Sequence, residues 1–211
     1  MAEPPLNADP RDAAEAWPVT VSAQLTRAKI VTLRRDQVRM PDGAVAAREV
    51  IEHPGAVAVL ALDEADRVLM IRQYRHPVTA LLWEIPAGLR DVDGEPARVT
   101  AERELLEETG YRAACWRVLA DFYPSPGIST ERVRVYLARE LTAAPAEARQ
   151  YVPVHEEAQL TLAWVPLDAA VNRFLAGDLH NGVTAVGILA AYAARCDRFA
   201  ALRGPDAAEL P

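Results

Sequence analysis

Short apolar runs separated by polar turns fill most of the chain, and longer Ala- and Leu-rich stretches appear only towards its end. Ala56 to Leu62 and Val68 to Tyr74 flank the polar turn 63–67, as two neighbouring core strands would. Leu81 to Ile85, Trp116 to Phe122, Arg132 to Ala138 and Leu160 to Val165 read as further strands. Ahead of them, Val19 to His53 reads as short strands joined by turns, with a hairpin signal at Met40-Pro-Asp-Gly43 before Val45 to Ile51. Leu167 to Leu175 and Thr184 to Phe199 have the composition of helices, and Asn181 stands where it can cap the second. The pattern predicts an α/β (α+β) fold, with a mixed sheet flanked by helices after a small N-terminal β module.

A chain of 211 residues can bury a sizeable core as one domain with an appendage. The net charge of −7 argues against a general affinity for nucleic acid or anionic membranes, so a polyanionic ligand has to be met by local cations. Cys115 and Cys196 lack metal-ligand spacing and fit idle thiols in a reducing cytoplasm. No run of about 18 apolar residues occurs, and the start of the chain lacks secretory features, so a soluble intracellular protein is expected. Residues 1–16 and 203–211, rich in Ala, Pro and Asp, are expected to be mobile. That leaves a β module at 17–53 and a main domain at 54–202.

The segment from Gly88 to Gly110 carries the chemistry. A helix opened by Pro96 and closed by Gly110 places Glu104, Glu107 and Glu108 on one face, at i,i+3 and i,i+4 spacings. Like charges so arranged weaken a helix by a few tenths of a kcal/mol per pair, and a bound cation reverses the sign. Oxygen donors suit Mg²⁺ or Mn²⁺, which keep part of their water and share substrate phosphates. Spacing alone leaves open a solvated Glu-rich surface.

Arg103-Glu104-Leu105-x-Glu107-Glu108-x-Gly110, with Glu95 and Gly88 upstream, closely resembles the signature of the Nudix hydrolases. It departs from it twice: six residues rather than five separate Gly88 from Glu95, and Tyr111 replaces an aliphatic residue. The longer loop precedes the helix and leaves the register of the glutamates unchanged. The resemblance spans residues 54 to 200 and implies the Nudix α/β/α sandwich. It also implies Glu104 and Glu108 as metal ligands, Glu107 as an auxiliary one, and the Ala87 carbonyl as a further donor. Arg103 would pair with Glu95 to orient the helix; an exposed pairing with Glu107 is the plainer alternative. The general base would lie in the loop before Leu160, with Glu157 first and Glu156 in reserve, and His155 beside them without a catalytic duty.

Further matches resemble the ADP-ribose pyrophosphatase branch. Pro126 lies sixteen residues beyond Gly110, Arg75 ends a Gln-aromatic-Arg segment that would meet phosphate, and Arg48-Glu49 matches a pair that reaches adenine from the partner subunit. Where some members stack an aromatic residue on the base, Val31 stands here; Trp17, Trp83 and Tyr74 are substitutes, and Trp83 is equally suited to the core. The resemblance implies a homodimer that shares its pockets, and hydrolysis of ADP-ribose to AMP and ribose 5-phosphate with Mg²⁺ or Mn²⁺. Another nucleotide sugar or a dinucleotide is the alternative substrate. A non-catalytic ADP-ribose sensor is a rival of a different class, and retention of the glutamates counts against it.

Overall fold

The computed structural model describes residues 10–145, 147 and 160–209. Three antiparallel strands open the fold, β1 (Val19–Arg27), β2 (Thr32–Arg39) and β3 (Val45–Glu52), in the order β1-β2-β3. The expected hairpin joins β2 to β3: Met40 N–H donates to the Ala44 carbonyl at 2.8 Å, and Gly43 supplies a φ of 88°. This module meets the rest of the chain where Ile51 exchanges backbone hydrogen bonds with Ile128 and Thr130.

The main domain contains β4 (Ala56–Ala61), β5 (Arg67–Arg75), β6 (Ala80–Glu84), β7 (Ala87–Leu89), β8 (Tyr111–Phe122), β9 (Val133–Ala143) and β10 (Thr161–Pro166). Helix α1 (Ala97–Thr109) follows β7, and α2 (Leu167–Leu175) and α3 (Gly182–Ala194) follow β10. Strands β7-β4-β9-β8 form one mixed sheet, with β4 and β9 parallel, and β10-β5-β6 form a second, antiparallel one.

Alternation along β4 builds the layers. Ala58, Leu60 and Leu62 enter a core shared with Leu167, Ala170, Ile188 and Ala191 of α2 and α3. Val57, Val59 and Ala61 point the other way and pack with Ala97, Ala101 and Leu105 of α1. A strand apolar at every position is thus buried on both faces between helical layers, the α/β/α sandwich expected.

Three boundaries differ from the sequence reading. Helix α1 starts at Ala97, with Pro96 extended just before it (ψ 141°), so the proline caps the helix instead of opening it. Helix α3 stops at Ala194, short of Phe199, because a 3-10 turn at Arg195–Asp197 runs into left-handed Arg198 and Phe199. The three-residue strand β7 was not anticipated.

The segment 203–209, read from composition as loose, lies against the sheet. Arg134 donates to the carbonyls of Ala207 (2.7 Å) and Ala208 (2.9 Å), Tyr136 to that of Pro205, and Val118 N–H to that of Arg203. Arg134 is buried and held by Asp121, so its remaining donors need acceptors, and the tail supplies them. Among the described residues no helix is long and apolar enough to cross a membrane.

Candidate active site

Strand β7 hydrogen-bonds along the start of β4, pairing Gly88 with Val57 and Ala87 with Ala58, and α1 crosses above it. A Cβ added to Gly88 would lie 2.1 Å from the Glu104 carboxyl carbon. Glycine is required there because the carboxylate rests directly on the strand. One turn on, Glu108 is 6 % exposed, and its Oε2 accepts the Ala87 N–H at 3.0 Å. The loop glycine, Ala87 and two of the three helix-face glutamates therefore share one small region.

Arg103 ties the face together. It donates to Glu104 (2.7 Å), Glu107 (3.4 Å) and Glu95 (3.3 Å), so the expected pairing with Glu95 and the plainer one with Glu107 both occur. Burial works against the Arg103 charge, but the hydrogen bond to Glu95 and the charges of Glu104, Glu95 and Glu107 outweigh it and raise its pKa. Glu95 in turn is lowered, first by the Thr100 hydroxyl that donates to it at 2.7 Å, with Arg103 adding to the effect against the cost of burial. The extra loop residue has thus left Glu95 on its expected partner.

Among the described residues no three His, Cys, Asp or Glu side chains stand close enough together to hold a metal ion without moving. The Arg103 guanidinium supplies the positive charge between Glu104 and Glu107. The donor chemistry nevertheless fits a hard divalent cation: the carboxylates are on one face, one is seated in a glycine cradle, and an open cleft adjoins them.

That cleft has a volume of about 390 Å³ and is lined by Ala87, Gly88, Arg75, Glu84, Glu131 and Asn181 among others. Arg75 is fixed by Glu84, to which it donates from Nε (3.0 and 3.2 Å) and Nη2 (2.6 Å), while Gln73 donates at 3.2 Å. Glu84 is 2 % exposed, so a buried carboxylate orients a half-exposed guanidinium at the cleft wall. The sequence reading passed over Glu84, although an acid inside the apolar run Leu81 to Ile85 was the available signal.

Other expected residues lie elsewhere. Trp83 is on the face of β6 opposite Leu82 and Glu84, packed against the core with the Arg72 guanidinium 5.9 Å from its ring, and it does not line the cleft. Pro126 lines a separate surface cavity with Tyr123 and residues 12–16. Arg48 and Glu49 sit on β3, where Glu49 pairs with Arg35 at 2.8 Å, and neither reaches the cleft of its own chain. Val31 is partly buried in the turn after β1, its carbonyl accepting the Ala28 N–H. His155, Glu156 and Glu157 lie outside the described residues.

Residues 52–185 match the family model described as the NUDIX domain. The chain belongs to the Nudix family. It is 47% identical over 175 residues to an ADP-ribose pyrophosphatase of Mycobacterium tuberculosis (strain ATCC 25618 / H37Rv), covering 82% of this chain and 83% of that one. An ADP-ribose pyrophosphatase of Bacillus subtilis (strain 168) is 36% identical over 165 residues, 78% of this chain and 86% of that one. A crystal structure of an ADP compounds hydrolase superposes with a TM-score of 0.72 at 18% identity, covering 89% of this chain and 99% of that one, which supports the Nudix fold. Nudix ADP-ribose pyrophosphatases generally need a divalent metal.

Proposed function

We propose that this Nudix protein hydrolyses the pyrophosphate of ADP-ribose to AMP and ribose 5-phosphate with Mg²⁺ or Mn²⁺. The observation that carries the reading is the meeting of the glutamate face, seated on Gly88 and Ala87, with a cleft walled by the anchored Arg75. Relatives named for that activity, at 47% and 36% identity, support the choice of substrate.

Glu104, Glu107, Glu108 and the Ala87 carbonyl would hold the cation. When bound, it neutralises phosphate charge and makes water a better nucleophile. Arg75 grips a phosphate by its planar donors, and Glu84 keeps that guanidinium in place. Water forms a bond to one phosphorus, its proton passes to Glu157 or Glu156, and the bond from that phosphorus to the bridging oxygen breaks to release the second phosphate. Arg103 and Glu95 hold the helix in register. Arg48 and Glu49 would reach the adenine in the partner subunit and Pro126 would stiffen a loop that walls the pocket, whereas Trp83 is better assigned to packing.

A homodimer joined through the β module suits a first strand exposed along its whole length, with Val19, Val21 and Leu25 each about half-exposed. A cytoplasmic setting suits the free thiols Cys115 and Cys196. The deciding experiment measures AMP and ribose 5-phosphate released from ADP-ribose, NADH, diadenosine polyphosphates and GDP-mannose, with metal and with chelator. Metal-dependent turnover led by ADP-ribose is expected. A different leading substrate overturns the specificity, and no turnover at all overturns the enzyme in favour of a sensor. Sedimentation at working concentration checks the dimer.

A further inference from the structure

A second cationic site lies beside the cleft, at the start of β4 and β9. Arg90 follows β7 directly, and its N–H donates to the Gly55 carbonyl; Arg132 precedes β9. Gly55 lies between their side chains: a Cβ there would be 3.5 Å from the Arg132 Cγ and 4.0 Å from the Arg90 Cδ. The Glu209 carboxylate accepts from Arg90 Nη1 at 2.5 Å and lies 3.7 Å from Arg132 Nη2. Ala56 and Val133 line both this small pocket, of about 10 Å³, and the cleft.

Charge there is unbalanced. Among the described residues, Arg90, Arg132, Arg134 and Arg203 pair with two carboxylates, Asp121 and Glu209, in a chain whose net charge is −7. Asp121 is committed to Arg134 and Arg203, which leaves Glu209, among the described residues, as the carboxylate between the other two guanidinium groups. Arg90 Nε is buried and has no hydrogen-bond partner among the described residues, so the carboxylate leaves donor capacity unused. A phosphate brings more charge and three terminal oxygens to the same donors.

We propose that Arg90 and Arg132 form an anion subsite at the rim of the cleft, filled by the Glu209 carboxylate in the absence of ligand and taking a phosphate group in exchange. Exchange requires only that the Glu209 side chain swing out, because the backbone at Ala207 and Ala208 is pinned separately by Arg134. The subsite rests on the arginines. Its use by a phosphomonoester product rests on the proposed hydrolysis.

The test is a calorimetric titration of the full chain with inorganic phosphate at fixed ionic strength, in chelator so that no metal on the glutamate face binds the probe. Glu209→Gln should tighten phosphate binding about threefold to fivefold, the range set by removing one partly exposed charge. Arg132→Ala, at a half-exposed position, should abolish that gain in the double variant and weaken binding in the single one. Equal affinity in wild type and Glu209→Gln, or wild-type affinity in Arg132→Ala, overturns the subsite. Ribose 5-phosphate and AMP, titrated in the same way, identify the source: tighter binding than inorganic phosphate marks a product, and equal binding marks free phosphate. Failure of ADP-ribose turnover would leave these titrations unaffected, so the two readings fail separately.

Discussion

In Glu108 a contact of the fold and the proposed chemistry fall on one side chain. Its carboxylate is buried against the Ala87 N–H, and it also stands on the face proposed to hold metal. A glutamine keeps the shape and one acceptor oxygen but loses the charge. Glu108→Gln should therefore lower turnover by on the order of 10²-fold or more while leaving the circular dichroism and the unfolding midpoint close to wild type. Gly88→Ala probes the same seat from below. The added methyl would meet the carboxyl end of Glu104, which is flexible enough to swing away, so the fold survives and the carboxylate is misplaced. A loss of about 10²-fold in kcat with little change in Tm is expected; a fall in Tm with kcat intact would show that Gly88 serves packing alone.

At the scale of elements, α1 ends on Gly110, whose φ of 75° lets its N–H reach the Leu106 carbonyl with open space around the Cα. Gly110→Ala meets no neighbour and so isolates the backbone strain, roughly 1 kcal/mol, or a Tm lower by roughly 2–4 °C in thermal melts. This cap was legible in the sequence, as were the glutamate register and the strands of the main domain, because each depends on local spacing. Strand β7 was hidden because it is three residues long and lies inside a motif already assigned to a loop. Glu84 was hidden for a different reason: its role depends on the partnering of β5 with β6, which brings Arg75 and Gln73 to it and which no local pattern specifies. Trp83 suits core and pocket equally by sequence, and the alternation of β6 puts it with the core. The separation of Arg48 and Glu49 from the cleft likewise depends on how the β module is docked, and that of Pro126 on the course of the loop between β8 and β9.

The whole molecule is held at one edge by a buried charge cluster that links sheet and tail. Burial alone would raise the Asp121 carboxyl, but hydrogen bonds from Arg134 and Arg203 hold it below the ordinary aspartate range. A folded-state pKa below the unfolded one contributes stability that is complete above about pH 4 and is lost as pH falls through the lowered value. Asp121→Asn leaves Arg134 without its buried partner and should cost on the order of 3 kcal/mol at neutral pH. Unfolding midpoints against pH should show wild type and variant beginning to converge below about pH 4 and meeting once pH is below the lowered Asp121 value; a gap that persists even there would mean that Asp121 acts through its shape.

The parallel pairing of β4 with β9 also sets an order of events. Ala56 has to find Val133 across everything between them, including β7 and α1. A ribosome delivers the glycine seat and the acidic helix well before the strand that completes the sheet under them. Until β9 arrives, an apolar β4 with one unmatched edge must be kept from pairing with other chains, so this protein's demand on chaperones should come mid-synthesis and end once β9 has emerged.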